Sequence, residues 1–476
     1  MLLRNALAYL FAQGIPAAVS FAALAIYSRL LVPEEYGRYA LAIAGLSLAG
    51  VVVFQWQRVV VARWLPARAG DRAFLGEVLC VFARLALGAS LAGVLIVWFW
   101  PDPASRGVAA LAVPLLIALS WLELNLVIAS AQAAPGRYGR LQGARAVVSL
   151  PVGAGLASIG VGAAAPMCGL LLGALCAALL FGRGPWAGVR LESPDRKELG
   201  RQLEYGLPLV ATFALGWVIS GSDRLLIGWL LGPPAAGQYA VGSDLAQYSL
   251  GLLLGAVNTA AYPLAVRAFE SGGRAAAAAQ LRRNSELVFA LALSAAAGLA
   301  ALTPEIVDAV VGSGFREAAQ VMPWIAFAAA AGAIKAFHFD AAFHLSRNSR
   351  GLVASSGLAT LLNLALNIAL IPLFGIVGAA FASLSAMTLG AIASAWLGRR
   401  LFPMPPFLPA FARGLVMAAG AAAGARFGGA SIEGWPGLLG GLAGGTACAV
   451  AGALLLDIAG TRRAALAWAR KIIVAP

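Results

Sequence analysis

"LLVPEEYGRYAL" (Leu30–Leu41) and "LLGPPAAGQYAV" (Leu230–Val241) are one turn written twice in the same chain. Leu30, Leu31, Pro33, Gly37, Tyr39 and Ala40 recur as Leu230, Leu231, Pro233, Gly237, Tyr239 and Ala240. Pro and Gly suit a tight turn, and Tyr suits a membrane–water interface. Each copy lies between long apolar runs, so the motif reads as the outer turn of a helical hairpin that has been duplicated.

The composition agrees. The 476 residues are 61% hydrophobic and 11% charged, against about 25% charged in a soluble domain. A spanning helix needs roughly 20 mostly apolar residues. Fourteen such stretches can be read, the first near 9–31, the tenth near 320–345 and the last near 434–457. The fifth and sixth, 146–165 and 166–182, are divided at Ala165-Pro166. The expected fold is therefore an all-α integral membrane protein with about 14 transmembrane helices. The repeat predicts two six-helix lobes related by a pseudo-twofold along the membrane normal, plus two extra C-terminal helices.

Basic residues test that count. With a cytoplasmic N-terminus, alternate loops collect most of the 34 Lys and Arg, from Arg4 to Arg470 and Lys471. The outer loops hold only Arg29, Arg38, Arg106, Arg316 and Arg426. This bias predicts that both termini lie in the cytoplasm. It also accounts for the net charge of +14 through anionic lipid head groups, with no nucleic-acid partner. Cys80, Cys168, Cys176 and Cys448 fall inside spans without metal-ligand spacing and read as small hydrophobes.

The expected organisation is a first lobe at 1–182, a cytoplasmic linker at 183–205, a second lobe at 206–400, and two further spans with a tail at 401–476. Within the linker, Ser193 reads as a helix cap, with Pro194 at the first helical position and acidic Asp195 after it. The last two spans are rich in Ala and Gly, which lets helices pack closely, and are expected to dock on the second lobe.

Three stretches then point to a family. "SRLLVPEEYGRYALA" (Ser28–Ala42), "SDRLLIGWLLGPPAAGQYAVGSDLAQ" (Ser222–Gln247) and "LNLALNIALIPLFGIVGAAFASLSA" (Leu362–Ala386) resemble the bacterial polysaccharide-exporting flippases. These belong to the multidrug/oligosaccharidyl-lipid/polysaccharide exporter superfamily and include O-antigen-type flippases. The resemblance covers most of residues 1–400. It implies two lobes around a cavity that opens alternately to either side. It implies an undecaprenyl-pyrophosphate-linked oligosaccharide as substrate, moved from the inner to the outer leaflet of the cytoplasmic membrane. Membrane lipids and other proteins of polysaccharide assembly are the further partners it suggests. The extra two spans resemble the fourteen-span members.

Ionisable residues inside apolar spans cost about 2.5–3.5 kcal/mol each on insertion scales and usually face a wet cavity or a partner. Arg84 in the third span and Glu123 in the fourth lie at similar depth, so they are read as a pair or, for Arg84, as a cavity cation. Asp223 and Arg224 sit in the outer third of the seventh span, with Asp244 at similar depth in the eighth. Neighbours on a helix cannot share a face, so Arg224 is expected to bridge Asp244 and leave Asp223 to the cavity or a proton. Asn363 and Asn367, four apart, read as interhelical glue.

The tenth span carries "IKAFHFDAAFH" (Ile334–His344). On a regular helix Lys335 and His338 share one face, as do Asp340 and His344. Together they make a polar track from mid-membrane to the cytosol. Lys335, His338, Arg224 and Arg84 are the substrate-binding candidates. Asp223, Asp244, Asp340 and Glu123 are the coupling or charge-pair candidates.

No metal or organic cofactor is expected, and an ion or proton gradient is the energy source to consider. A cation-coupled drug antiporter of the same superfamily is the rival reading, since it too wants intramembrane carboxylates. An enzyme is disfavoured: the longest outer connection, about Pro304 to Ala319, is short for a sugar site, and no phosphate-binding Gly-Lys motif occurs.

Overall fold

A computed structural model describes residues 18–68, 70–100, 102–429 and 434–463. The start of the first span at 9–17, Arg4, and the basic tail with Arg470 and Lys471 lie outside the described residues. Among those described there are 14 α-helical elements, two of them short, and no strand. In chain order these are α1 (Ala18–Leu30), α2 (Pro33–Trp64), α3 (Arg72–Trp98), α4 (Pro103–Ala131), α5 (Pro135–Ser158), α6 (Ala164–Phe181) and α7 (Arg196–Leu231). There follow α8 (Pro233–Ala301), short α9 (Thr303–Val310), α10 (Ala318–Ile334), short α11 (Ala341–Leu345), α12 (Ser349–Gly398), α13 (Leu408–Gly429) and α14 (Trp435–Leu455).

Two of these elements are each a pair of helices. α8 reverses at Gly273 (φ 66°) and α12 at Gly375 (φ 61°), a backbone region open to glycine at little cost. The arms then lie side by side. Asn284 Nδ2 donates to the Ala261 carbonyl at 2.9 Å, and Asn363 Nδ2 to Ser383 Oγ at 3.3 Å. Asn363 and Asn367 are fully buried and act as the interhelical glue that their spacing suggested. By their internal contacts the residues form two compact units, Met1–Gly237 and Gln238–Pro476.

In the first unit the repeated turn explains its own composition. A Cβ on Gly37 would run into the Pro233 carbonyl, and one on Gly237 into the Pro33 carbonyl. The two first turns meet reciprocally, as a local twofold requires, and only glycine allows backbones that close. α7 packs along α2, with Gly206 against Trp56 and Gly228 against Leu41. α5 and α6 close on each other where Gly169 and Gly173 face the Ser149 and Arg145 carbonyls.

The linker departs from expectation. The helix starts at Arg196 with Asp195 as its cap, and runs unbroken into the apolar stretch to Leu231. Ser193 is not the cap; its hydroxyl accepts from Arg84 Nη2 at 2.8 Å. The segment before it clips onto the first unit. Trp186 stacks on Trp121 with ring centroids 4.9 Å apart and donates to Asn125 Oδ1 at 3.0 Å. Arg68 meets Glu198 at 3.0 Å.

In the second unit α13 and α14 pack glycine to glycine, Gly424 on Gly444 and Gly428 on Gly440. The pair docks on the second arm of α8. Arg413 Nη1 meets Glu286 Oε1 at 3.0 Å, Glu286 Oε2 accepts from the Ala459 N–H at 2.8 Å, and Gly414 abuts Phe289.

Candidate functional site

The end of α10 decides the surroundings of Lys335. After Ile334 the backbone widens into a π-turn over Lys335–Phe339, in which the Asp340 N–H donates to the Lys335 carbonyl at 2.8 Å. Residues five apart on an α-helix point about 140° from each other. The i to i+5 bond of a π-turn brings them round towards the same side.

The consequence is an ion pair that regular spacing forbids. Lys335 Nζ donates to Asp340 Oδ2 at 2.9 Å and to Ser356 Oγ at 3.2 Å. Ser394 Oγ donates to Asp340 Oδ1 at 2.7 Å. The two side chains are only 8% and 6% exposed. Ser356 and Ser394 come from the two arms of α12, so the pair ties the end of α10 to both. Gly390 makes room: a Cβ there would lie 3.5 Å from Lys335 Cδ and Cε and closer still to Ala359. Both charges thus have a counterion and a hydroxyl, the condition under which a buried pair is tolerated.

The expected polar track is therefore redrawn. Lys335 and Asp340 are joined across the faces that a regular helix would have separated. His338 is fully buried and lies in an aromatic cluster, 5.5 Å from the Phe289 ring and 4.9 Å from that of Phe339. Among the described residues neither of its ring nitrogens has a hydrogen-bond partner. The His344 ring is exposed and edge-on to Tyr262 at 5.8 Å; it meets Asp340 through its backbone N–H, which donates to the Asp340 carbonyl at 3.2 Å, and no ion pair joins the two among the described residues.

The other candidates separate likewise. Arg84 is exposed on α3, and no ion pair joins it to Glu123 among the described residues; its partner is Ser193. Glu123 is half-buried and its charged neighbour is Arg58, whose Nη2 donates to the Gly50 carbonyl at 3.1 Å. The similar depth of Arg84 and Glu123 is not enough, because Arg84 turns to Ser193 on the linker while Glu123 acts on Arg58 of α2. Asp223 is buried, and Arg224 and Asp244 are half-buried. Each takes part in an interaction, so Asp223 is not left free as the spacing suggested. Sequence reasoning missed Ser356 and Ser394, because a lone Ser in an apolar run carries no signal of its own, and it gave Ser193 a capping role in place of the bond to Arg84.

The chain has informative likenesses. Residues 26–320 match the family model described as "Polysaccharide biosynthesis protein". No curated protein matches at significant similarity. Among solved structures, a lipid II flippase MurJ in an inward closed conformation superposes with a TM-score of 0.73 at 13% identity, covering 94% of this chain and 98% of that one. An inward-facing multidrug resistance MATE family transporter of the MOP superfamily gives 0.64 at 13% identity, over 82% and 97% of the two chains. A MOP superfamily transporter from Pyrococcus furiosus gives 0.55 at 12%, over 84% and 94%. At these identities the likeness is one of fold.

Proposed function

Because the chain belongs to the polysaccharide biosynthesis protein family, as a multi-pass membrane transporter and not an enzyme, we propose that it flips a lipid-linked oligosaccharide. The substrate class is an undecaprenyl-pyrophosphate-linked glycan, carried from the inner to the outer leaflet of the bacterial cytoplasmic membrane for surface polysaccharide. The observation that carries this reading is the family match, on a fold shared with a lipid II flippase. In this reading both termini are cytoplasmic, the lobes are 1–182 and 206–400, and transport proceeds by alternating access.

An amphiphile with a pyrophosphate head cannot cross about 30 Å of hydrocarbon unaided, so cations must replace its water on the way. Arg224 is the cation of the first unit to test for this role, while Lys335 has Asp340 as its counterion. A proton or ion gradient would supply the energy, with Asp223 and Asp244 the carboxylates to test.

The experiment is to delete the gene in its host and measure surface glycan, together with lipid-linked oligosaccharide in spheroplasts. Loss of surface glycan, inner-leaflet accumulation of the intermediate and rescue by the intact gene are expected. Normal surface glycan with new sensitivity to cationic drugs would favour the antiporter instead.

A further inference from the structure

Among the described residues Arg84 is an arginine without a carboxylate partner, on an apolar helix face. Counting along α3, it shares that face with Leu87, Leu91, Leu95 and Trp98, at steps of three and four. These four are 62%, 61%, 60% and 76% exposed. Such a face is made for hydrocarbon, not for an aqueous cavity. An arginine here bears the insertion cost of about 2.5–3.5 kcal/mol unless its guanidinium reaches a lipid phosphate. It is about six residues, or roughly 9 Å, inside the apolar stretch from the linker side, within reach for a side chain that snorkels.

A second donor waits where the guanidinium ends. Arg84 Nη2 donates to Ser193 Oγ at 2.8 Å, and among the described residues this is its only bond. The other guanidinium N–H groups, four of the five that arginine carries, are therefore open. The Ser193 hydroxyl also lies 3.8 Å from Cys80 Sγ, a weak contact in which either atom can donate, so its proton can turn to a stronger acceptor. The strand of linker that brings Ser193 here is held on α3, with the Glu192 N–H donating to the Gly76 carbonyl at 3.4 Å and Gly76 against the Arg190 carbonyl. The notch is fixed by backbone contacts.

We infer that Arg84 and Ser193 form a docking site for the phosphodiester of an anionic phospholipid in the leaflet on the linker side. Its acyl chain lies along the Leu87–Leu91 stripe. A planar guanidinium matches phosphate oxygens two at a time, and a single fixed cation beside one hydroxyl suits one phosphodiester. The site is independent of which substrate is transported.

The test uses the full-length protein in nanodiscs of phosphatidylethanolamine with a minor share of phosphatidylglycerol. Retained lipid is counted by native mass spectrometry. Arg84→Gln is expected to lower phosphatidylglycerol retention several-fold, Ser193→Ala about twofold, and Arg84→Lys less than Arg84→Gln. Arg106→Gln, an exposed arginine on α4, serves as the control and should leave retention unchanged. Melting temperatures in lipid-free detergent separate lost binding from lost folding. Undiminished phosphatidylglycerol retention in a folded Arg84→Gln protein overturns the proposal. So does an equal fall for Arg106→Gln, or retention of polyprenyl pyrophosphate alone when both lipids are offered.

Discussion

Arg84 in the first unit and Lys335 in the second are both lone cations in apolar helices, yet one is exposed and the other sealed. α3 stays a regular helix past Arg84, and the side chain solves its own problem by reaching outward to Ser193. α10 cannot do that, because Lys335 is enclosed by both arms of α12. There the backbone gives way instead. It widens by one residue, turns Asp340 towards the ammonium, and recruits Ser394 to hold the carboxylate. A charge near an exit can be satisfied by rotamers alone. One in a packed interior needs a counterion delivered by the main chain, and π-turns inside helices often mark such places.

The largest expected effect breaks the sealed pair. Lys335→Ala or Asp340→Ala alone leaves an uncompensated buried charge, a loss of about 3–5 kcal/mol. The double variant removes both charges and should recover most of it. Detergent melting curves for the three proteins decide this. Single losses that simply add in the double variant would mean that the charges do not depend on one another.

Ser394→Ala comes next and sharpens the same comparison. It keeps the ion pair but removes one donor from a buried carboxylate, costing about 1.5–3 kcal/mol as hydrogen bonds to charged groups do. Ser193→Ala, at the exposed site, should leave the melting temperature almost unmoved. Equal losses at the two serines would erase the distinction between interior and exit.

Legibility followed the same divide. The duplicated turn announced the fold because glycine and proline are demanded there by backbone contact, Gly37 on Pro233 and Gly237 on Pro33, and such demands survive in sequence. The apolar lengths gave the helices for similar reasons. The candidate site was legible only as residue types. Lys335 and Asp340 stood out as charges in an apolar run, but their pairing rests on a π-turn, which no 3.6-residue periodicity contains. His338 was placed with Lys335 by that same periodicity, and the structure puts it among phenylalanines. The linker cap failed because Ser193 is spent on Arg84, a tertiary contact invisible in "LESPDRKE" (Leu191–Glu198).

His338 supplies a smaller effect of opposite sign. With no partner on either ring nitrogen among the described residues, it leaves desolvated polar atoms beside Phe289 and Phe339. His338→Phe should therefore be neutral or stabilising by about 1 kcal/mol, whereas Lys335 on the same turn does not tolerate an apolar replacement while Asp340 keeps its charge. A marked drop in melting temperature for His338→Phe would show that the imidazole has a bond of its own.

The smallest effect concerns Glu123, and it asks which cation that carboxylate feels. Depth along the membrane offered Arg84; the structure offers Arg58, whose side chain folds back to the Gly50 carbonyl on α2. Two double-mutant cycles separate them. For Glu123→Gln with Arg58→Gln a coupling on the order of 0.5 kcal/mol or more is expected, since groups that share a local field are not additive. For Glu123→Gln with Arg84→Gln the effects should add, because Arg84 is exposed and bonded elsewhere. The sign matters too. With Arg58 as the neighbour, removing both charges costs less than the sum of the single losses, as at Lys335 and Asp340 but weaker, because both groups are only half-buried and solvent screens them. Coupling to Arg84 with none to Arg58 would return the pair to the arrangement that depth alone suggested, and would make the first unit resemble the second after all.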